Sequence, residues 1–392
     1  MRSDTQFDHN APEFIANPYP TYAQLRAEDP VHHSDRYGGY YVLTRYEDVR
    51  SALLNWQLFS SGRPGVTSIP TSVKRDFVEI PLEVDPPEHY PYRQLVSRFF
   101  TRNAVTKIEP GIRDIAVDLL EPMCAAGGGD VVQEFALPFV ARVLALFLDV
   151  PQEESVRWVR WCKEIFHGRL SDRALADRAS REMIEFVDDL VDRRRREPGD
   201  DLFSALATAT HQGRPLTRAE LHGYGVLMLN AGQETTVNGI GGSFAYLAEH
   251  PEDRKRLREE PELLPAAVEE FLRFISPIQL LGRTTTEDAT LHGCPIPADS
   301  TVAMCYAAAN RDESVFAEPD EVRIDRRPNP HLAFGAGPHT CLGTHLARAE
   351  VRIVLEEALA RIPQMRIDPD AELEYTPHGD LRGFWKLPLR MS

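Results

Sequence analysis

A mainly α-helical chain with smaller β-sheets, an α+β fold, is predicted by three observations. Apolar residues recur at helical spacing over most of the length. Alternating β-branched or aromatic runs are few and short. One apolar helix of unusual reach runs from Leu221 to His250-Pro251, with glycines and threonines in its middle. The two candidate breaks, residues 124–130 (CAAGGGD) and 196–201 (REPGDD), are as short as ordinary interhelical turns. Residues 1–392 therefore read as one large domain.

In chain order, residues 18–30 (PYPTYAQLRAEDP) form an early helix ended by Pro30. Residues 38–45 (GGYYVLTR) alternate as a strand. Thr217 with Glu220 makes a capping box that opens the long helix. At a rise of about 1.5 Å per residue that helix spans roughly 45 Å. Its centre, LNAGQETTVNGIGG, is a poor helix, since each glycine costs about 1 kcal/mol against alanine. Close packing by a neighbour accounts for Gly239, Gly241 and Gly242, but not for a carboxylate and two hydroxyls in a buried helix. Residues 290–306 read as a hairpin, a last helix breaks at Pro363, and GFWKLPLRM adds a strand.

With 42% hydrophobic and 27% charged residues the chain can bury a sizeable core, and its net charge of −16 argues against a nucleic-acid binder. No apolar run reaches membrane-spanning length, and the polar, acidic amino terminus resembles neither a secretory signal nor an anchor. Five widely spaced cysteines without a CxxC pair indicate a reducing cytoplasm, with no disulfide framework and no zinc knuckle. These features together predict a cytoplasmic enzyme.

One cysteine is placed differently from the rest. In FGAGPHTCLG (334–343), Cys341 sits in a glycine-rich turn just before an apolar helix. Such a loop lets backbone N–H groups approach a sulfur, and the helix N-terminus behind it favours negative charge there. Three readings compete: a buried structural thiol, a nucleophile with His339 or His345 as base, and a thiolate ligand of a metal centre.

The pattern F-x-x-G-x-H-x-C-x-G, met by Phe334, Gly337, His339, Cys341 and Gly343, resembles the haem-binding loop of the cytochrome P450 superfamily, in its soluble bacterial form. AGQETT (231–236) is similar to the oxygen-activating segment of that family's long central helix, and EFLR (270–273) to its E-x-x-R helix. DPPEHYPYR (85–93) and ANRD (309–312) resemble further segments, in the same order along nearly the whole chain.

The resemblance implies a P450 fold, with the long central helix crossing over haem b. It makes Cys341 the axial thiolate ligand of the iron. Ala231, Phe334, Gly335 and Gly343 would contact the cofactor, and His89, Arg93, Arg283 and His339 would hold its propionates; family members often carry Arg in place of His339. Glu234 and Thr235 become the pair that delivers protons to dioxygen, which favours O2 over peroxide as the oxidant. Glu270 and Arg273 become a structural ion pair. Phe77, Leu227, Asn230, Ile278, Gln279 and Phe384 fall at pocket-facing positions, and residues 60–84 correspond to a loop over the substrate, with Ile69, Val78, Ile80 and Leu82 as its apolar members. The implied activity is monooxygenation of a small, largely apolar molecule by hydroxylation, epoxidation or dealkylation. No flavin or iron–sulfur motif is present, so a separate ferredoxin and NAD(P)H-dependent reductase supply electrons to a monomer, with Arg98, Arg348 and Arg352 as docking residues. Two rivals are a haem-binding sensor or carrier without chemistry, and a Cys-nucleophile enzyme without haem.

Overall fold

Tyr22 and Leu25 share one face of helix α1 (Tyr19–Glu28), and burying them docks the amino-terminal region against a sheet; the helix stops before Pro30 as predicted. The computed structural model describes residues 7–70 and 77–392. Strands β1 (Val31–Ser34), β2 (Tyr40–Leu43), β3 (Phe59–Ser60) and β4 (Leu280–Thr285) are followed by a hairpin of β5 (Ala289–Leu291) and β6 (Cys294–Ile296), and then by β7 (Thr301–Cys305). Five of them make one sheet in the order β1-β2-β7-β4-β3. The hairpin expected over 290–306 is thus confined to β5 and β6. Val302 to Cys305 are buried, so β7 lies between β2, which it pairs in parallel, and β4, which it pairs antiparallel. The carboxyl-terminal run forms two strands in two sheets: Phe384–Lys386 pairs with Glu374–Tyr375, and Pro388–Met391 with Met365–Ile367 and Gly128–Asp130.

Helices supply the bulk, giving the mainly α architecture expected. The main ones are α2 (His89–Ser97), α3 (Arg102–Ala126), α4 (Leu137–Phe147), α5 (Glu154–Ser171), α6 (Arg173–Arg196), α7 (Arg218–Ala231), α8 (Glu234–Glu249), α9 (Leu264–Ile275) and α10 (Thr344–Arg361), and all of these except α3 line the site. No helix among the described residues is long and apolar enough to cross a membrane.

The long central helix is two helices. It starts at the predicted capping box, where Glu220 N–H donates to Thr217 Oγ1 and Thr217 N–H donates to Glu220 Oε2. It breaks after Ala231 and resumes at Glu234. Val237, Ile240 and Phe244 of α8 then enter the largest apolar cluster together with Val351 and Val354 of α10. Close packing explains one of the three late glycines: a Cβ on Gly242 would lie 2.7 Å from Ile275 Cδ1, whereas at Gly239 and Gly241 it would make ordinary contacts.

Helix α9 carries the predicted ion pair. Arg273 Nε and Nη2 donate to the two oxygens of Glu270 at 2.8 Å each, and both side chains are fully buried. The remaining guanidinium hydrogens go to the carbonyls of Asn310, Pro319 and Glu321. Glu270 also accepts from Arg326 Nε, the Arg323 N–H and Asn329 Nδ2. Burial pushes the Glu270 carboxyl up, but Arg273, the Arg323 N–H and Arg326 bring it below its ordinary value. Its stabilising contribution is therefore present above the ordinary carboxylate range and lost as acid protonates it. Arg273→Ala, which takes one of its two buried cations from Glu270 and leaves the Asn310 and Pro319 carbonyls without their guanidinium donor, is expected to cost about 3–5 kcal/mol. Arg273→Lys should fail to restore this, for want of a planar fork. Urea denaturation of the three proteins checks both statements.

Candidate active site around Cys341

Cys341 is the residue on which the site is built. The Gly335 N–H donates to Leu332 O, the Cys341 N–H to Phe334 O and the Thr340 N–H to Gly337 O, which ties the sulfur loop into a compact turn. Gly335 and Gly337 have φ of 69° and 72°, and a Cβ on Gly337 would lie 2.8 Å from Leu53 O, so both positions require glycine. Because the Cys341 and Thr340 N–H groups are committed inside the turn, sulfur stabilisation falls mainly to Gly343 and Thr344, not to the loop amides as a whole. Burial pushes the thiol up; Gly343, Thr344 and the charges of Arg93 and Arg348 oppose this without cancelling it. A nucleophile needs the opposite shift. Among the described residues neither His339 nor His345 hydrogen-bonds the sulfur, which disfavours the nucleophile reading.

The sulfur faces a cavity of about 720 Å³ bounded by α2, α7, α8, β4 and the start of α10. One side of it is lined by donors. Arg93 Nη2 donates to Thr340 O at 2.7 Å and Arg283 Nη1 to Gly282 O at 2.7 Å, leaving the rest of each guanidinium without a carboxylate among the described residues. Both ring nitrogens of His89 and Nε2 of His339 are buried and unpartnered, and the two rings meet edge-on with centroids 4.5 Å apart. Burial first, and then neighbouring cations, pushes His89 down to about 4 and His339 down to about 3. Two arginines without a salt bridge among the described residues, beside two neutral histidines with unpartnered ring nitrogens, suit a ligand bearing carboxylates.

Above the sulfur lies the break between α7 and α8. Gln233 N–H bonds Asn230 O, one residue short of the helical partner, which releases the Leu229 carbonyl. Gln233 Nε2 donates to Leu229 O, and Thr235 Oγ1 donates to Ala231 O at 3.0 Å, so side chains replace the lost backbone bonds. Thr235 also lines the cavity. Glu234 is buried, lines the same cavity and accepts from the Cys162 thiol of α5 at 3.4 Å. A Cβ on Gly232 or Gly335 would meet nothing within 4 Å, so the wall stays open on the break side and the sulfur side alike.

Phe77, Leu227, Asn230 and Ile278 line the cavity as expected, together with Leu82. Gln279 does not. Its amide is buried and donates to Ile275 O and Ser276 O while accepting from Tyr22 Oη, because it points to the opposite side of the chain from Ile278. Phe384 does not line it either: it stacks on Tyr375 with centroids 5.0 Å apart, and Leu381 reaches the cavity from that segment instead. Ile69, Val78 and Ile80 pack in apolar clusters outside the cavity wall. Residues 71–76 of the expected covering loop lie outside the described residues. Two of the docking arginines are already engaged: Arg348 binds Glu269 with both forks and lies 4.5 Å over the Phe334 ring, and Arg352 pairs with Glu109 and Glu356.

Sequence reasoning missed Gln233, Cys162 and Glu350. Glu350 lines the cavity from α10, and burial alone pushes its carboxyl well above the ordinary range. Its spacing from Leu346 and Ile353, on the buried face of the helix, was the signal that could have found it. Among the described residues no group of three or more His, Cys, Asp or Glu could hold a metal ion. A metal on Cys341 needs its other ligands from a non-protein group. One sulfur, glycine openings on two sides and uncompensated donors at the edge fit haem.

The comparisons with known proteins agree. The family model described as Cytochrome P450 matches residues 152–362. A vitamin D(3) 25-hydroxylase of Pseudonocardia autotrophica is 37% identical over 99% of this chain and 97% of its own length. The mycinamicin IV hydroxylase/epoxidase of Micromonospora griseorubida is 36% identical over 94% of each chain. The solved structure of CYP109E1 from Bacillus megaterium, in complex with testosterone, superposes with a TM-score of 0.88 at 33% identity, covering 97% of this chain and 99% of that one.

Glu350 yields a test with a sign. A carboxyl raised on folding favours the folded state at low pH and loses that advantage as pH rises from the ordinary carboxylate value toward the raised one. Glu350→Gln keeps the neutral shape, so the variant should be the more stable at pH 8. The difference should shrink by up to about 1.4 kcal/mol per pH unit as pH falls through that window. Denaturant titrations of both proteins at stepped pH measure it.

Proposed function

The chain belongs to the cytochrome P450 family, and from that premise we propose that it oxidises a small, largely apolar molecule at a haem held by Cys341. Members of this family are haem-thiolate monooxygenases, so the chain is an oxidoreductase that incorporates oxygen from O2. The haem, when bound, supplies oxygen activation and the insertion of one oxygen atom. The observation that carries the assignment of its place is the sulfur of Cys341 sharing one cavity with two arginines that form no salt bridge among the described residues and two histidines with unpartnered ring nitrogens.

The protein's own residues do the rest. Arg93, Arg283, His89 and His339 would hold the carboxylates of the cofactor. Phe334, with the Arg348 guanidinium over its ring, supports the loop that presents the sulfur. Thr235, whose hydroxyl donates to Ala231 O, would offer its oxygen as an acceptor to a donor in the cavity. Glu234, one residue earlier, holds the proton that replaces the one consumed. Leu227, Ile278, Phe77 and Leu381 exclude water and orient an apolar substrate, with Asn230 as a polar anchor. The reaction is hydroxylation, or epoxidation or dealkylation of a suitably placed group. Relatives named as a vitamin D(3) 25-hydroxylase and a mycinamicin IV hydroxylase/epoxidase, and the solved relative in complex with testosterone, are consistent with a terpenoid, steroid or polyketide skeleton.

Electrons come from NAD(P)H through a separate reductase and ferredoxin, and the enzyme works as a cytoplasmic monomer. Arg98 is exposed and forms no salt bridge among the described residues, its guanidinium lying over the Phe99 ring, which makes it a better docking cation than Arg348 or Arg352.

The dithionite-reduced protein under carbon monoxide should show the red-shifted Soret band of a thiolate-ligated haem, and Cys341→Ala should abolish it. An imidazole-type band in the wild type would overturn the assignment of the ligand. In a reconstituted system, Thr235→Val should still oxidise NAD(P)H. Product formation should fall on the order of 10²-fold, with the electrons appearing in hydrogen peroxide.

A further inference from the structure

Leu381 reaches the cavity from an irregular stretch, residues 376–383, and what holds it there is remote in sequence. It bridges Ile278, also in the cavity wall, where the Gln279 N–H donates to Asp380 O at 2.9 Å and the Arg382 N–H to Pro277 O at 2.9 Å. The rest of the stretch is wedged between two surfaces that only glycine can meet. A Cβ on Gly383 would lie 1.9 Å from Asn238 Oδ1 of α8, and one on Gly379 would lie 1.5 Å from His9 O. Residues 9–16 therefore run as a strap against it. The Gly379 N–H donates to Asn10 Oδ1 at 3.1 Å, and Arg382 donates through Nη1 to Ile15 O and through Nη2 to Ala16 O at 3.2 Å. Those two carbonyls end the short helix Pro12–Ala16, whose own backbone leaves them open. The guanidinium also lies over the rings of Tyr375, at 4.2 Å, and Tyr19, at 5.7 Å. The same strap reaches a second part of the pocket: the His9 ring bonds Ile69 O at 2.7 Å, next to Thr67 and Ser68 of the cavity wall.

We propose that Arg382 is a positioning residue for the substrate: by tying residues 376–383 to the strap it holds Leu381 against Ile278, and so sets the apolar wall on that side of the cavity. That role presumes the haem and substrate site proposed above. Arg382 itself is absent from the cavity wall, whereas Leu381, one residue earlier, is in it, so the guanidinium acts through its neighbour. An apolar contact is non-directional, and a leucine is therefore placed only as well as the backbone that carries it. Arginine suits the anchor. Its planar fork reaches the carbonyls of two successive residues at once, its flat face stacks on aromatic rings, and helix-end carbonyls take a cationic donor readily.

The first test reads the anchor directly. Hydrogen exchange of the full-length holoenzyme, followed by mass spectrometry, should be faster over residues 376–383 in Arg382→Ala than in the wild type. Equal exchange in the two proteins overturns the proposal. The second test reads the consequence, from the Soret shift with two azoles: imidazole, which needs only the iron, and econazole, whose aryl groups must also pack against the cavity wall. Arg382→Ala and Leu381→Ala should each weaken econazole binding several-fold and leave imidazole binding unchanged. The double variant should bind econazole no more weakly than Leu381→Ala alone. An econazole Kd unchanged in Arg382→Ala, or losses that multiply in the double variant, overturn the positioning role. If Arg382→Ala does not accumulate as holoenzyme, the same cycle is run with Asn10→Ala, which removes the acceptor of the Gly379 N–H and leaves Arg382 in place. Losses coupled to Leu381→Ala are expected there too, and absent or independent ones overturn the proposal. If imidazole leaves the Soret band of the wild type unshifted, the haem reading fails and the positioning role with it, whatever the exchange records.

Discussion

The sulfur of Cys341 is where it is because two adjacent carboxylates on α9 point in different directions. Glu270 turns into the protein and gathers Arg273, Arg326, Asn329 and the Arg323 N–H, fixing the irregular chain of residues 317–329 that leads into the sulfur loop. Glu269 turns the other way and holds His331 and Arg348, and Arg348 covers the Phe334 ring at the start of that loop. Burial pushes both carboxyls up, yet their partners bring both below the ordinary value, Glu269 to about 2. Both are charged at neutral pH, so the two clamps act together. A buried ion pair of this kind contributes little net stability against apolar packing. What it contributes here is position, for a loop that has almost no regular structure of its own.

The second constraint is the break in the central helix. An unbroken helix across the cavity would satisfy its own backbone and offer the site only side chains. Breaking it after Ala231 frees carbonyls, which Gln233 and Thr235 then satisfy, and places a carboxylate and a hydroxyl at the start of a new turn. The structural repair and the chemistry thus share one residue: the bond that spends the Thr235 proton on Ala231 O also leaves its oxygen as an acceptor. The cavity is correspondingly divided. Donors and the sulfur occupy the cofactor's side, and apolar groups with Asn230 the other. Glu350 is the exception, a carboxyl that burial pushes well above its ordinary range and that no described residue offsets.

Much of this was legible in the sequence where the relevant geometry is local. Glu270 and Arg273 are i, i+3 on one helix, and their pairing follows from that spacing. The capping box at Thr217 is a four-residue motif, and the glycines around Cys341 announce a turn that only glycine can make. The pocket was legible only in part. Ile278 and Gln279 are neighbours in sequence, yet one faces the cavity and the other bonds Tyr22, since successive residues of extended chain face opposite ways. Phe384 was assigned inward although its ring is spent on Tyr375.

The sequence by itself determined the helical class, the presented cysteine, the acid and alcohol in the weak middle of the central helix, and the braced α9, because each is written in residues a turn or less apart; that the central helix breaks in two was left to the tertiary structure. Only the tertiary structure decided which distant groups meet. It set the Cys162 thiol against Glu234, joined His89 to His339, and engaged Arg348 with Glu269 rather than leaving it for a partner protein. It also buried Glu350 without a counter-charge. The physical reason is one of range. Backbone periodicity and turn geometry act over a few residues, whereas burial and long-range pairing are settled only when helices remote in sequence pack together and exclude water between them.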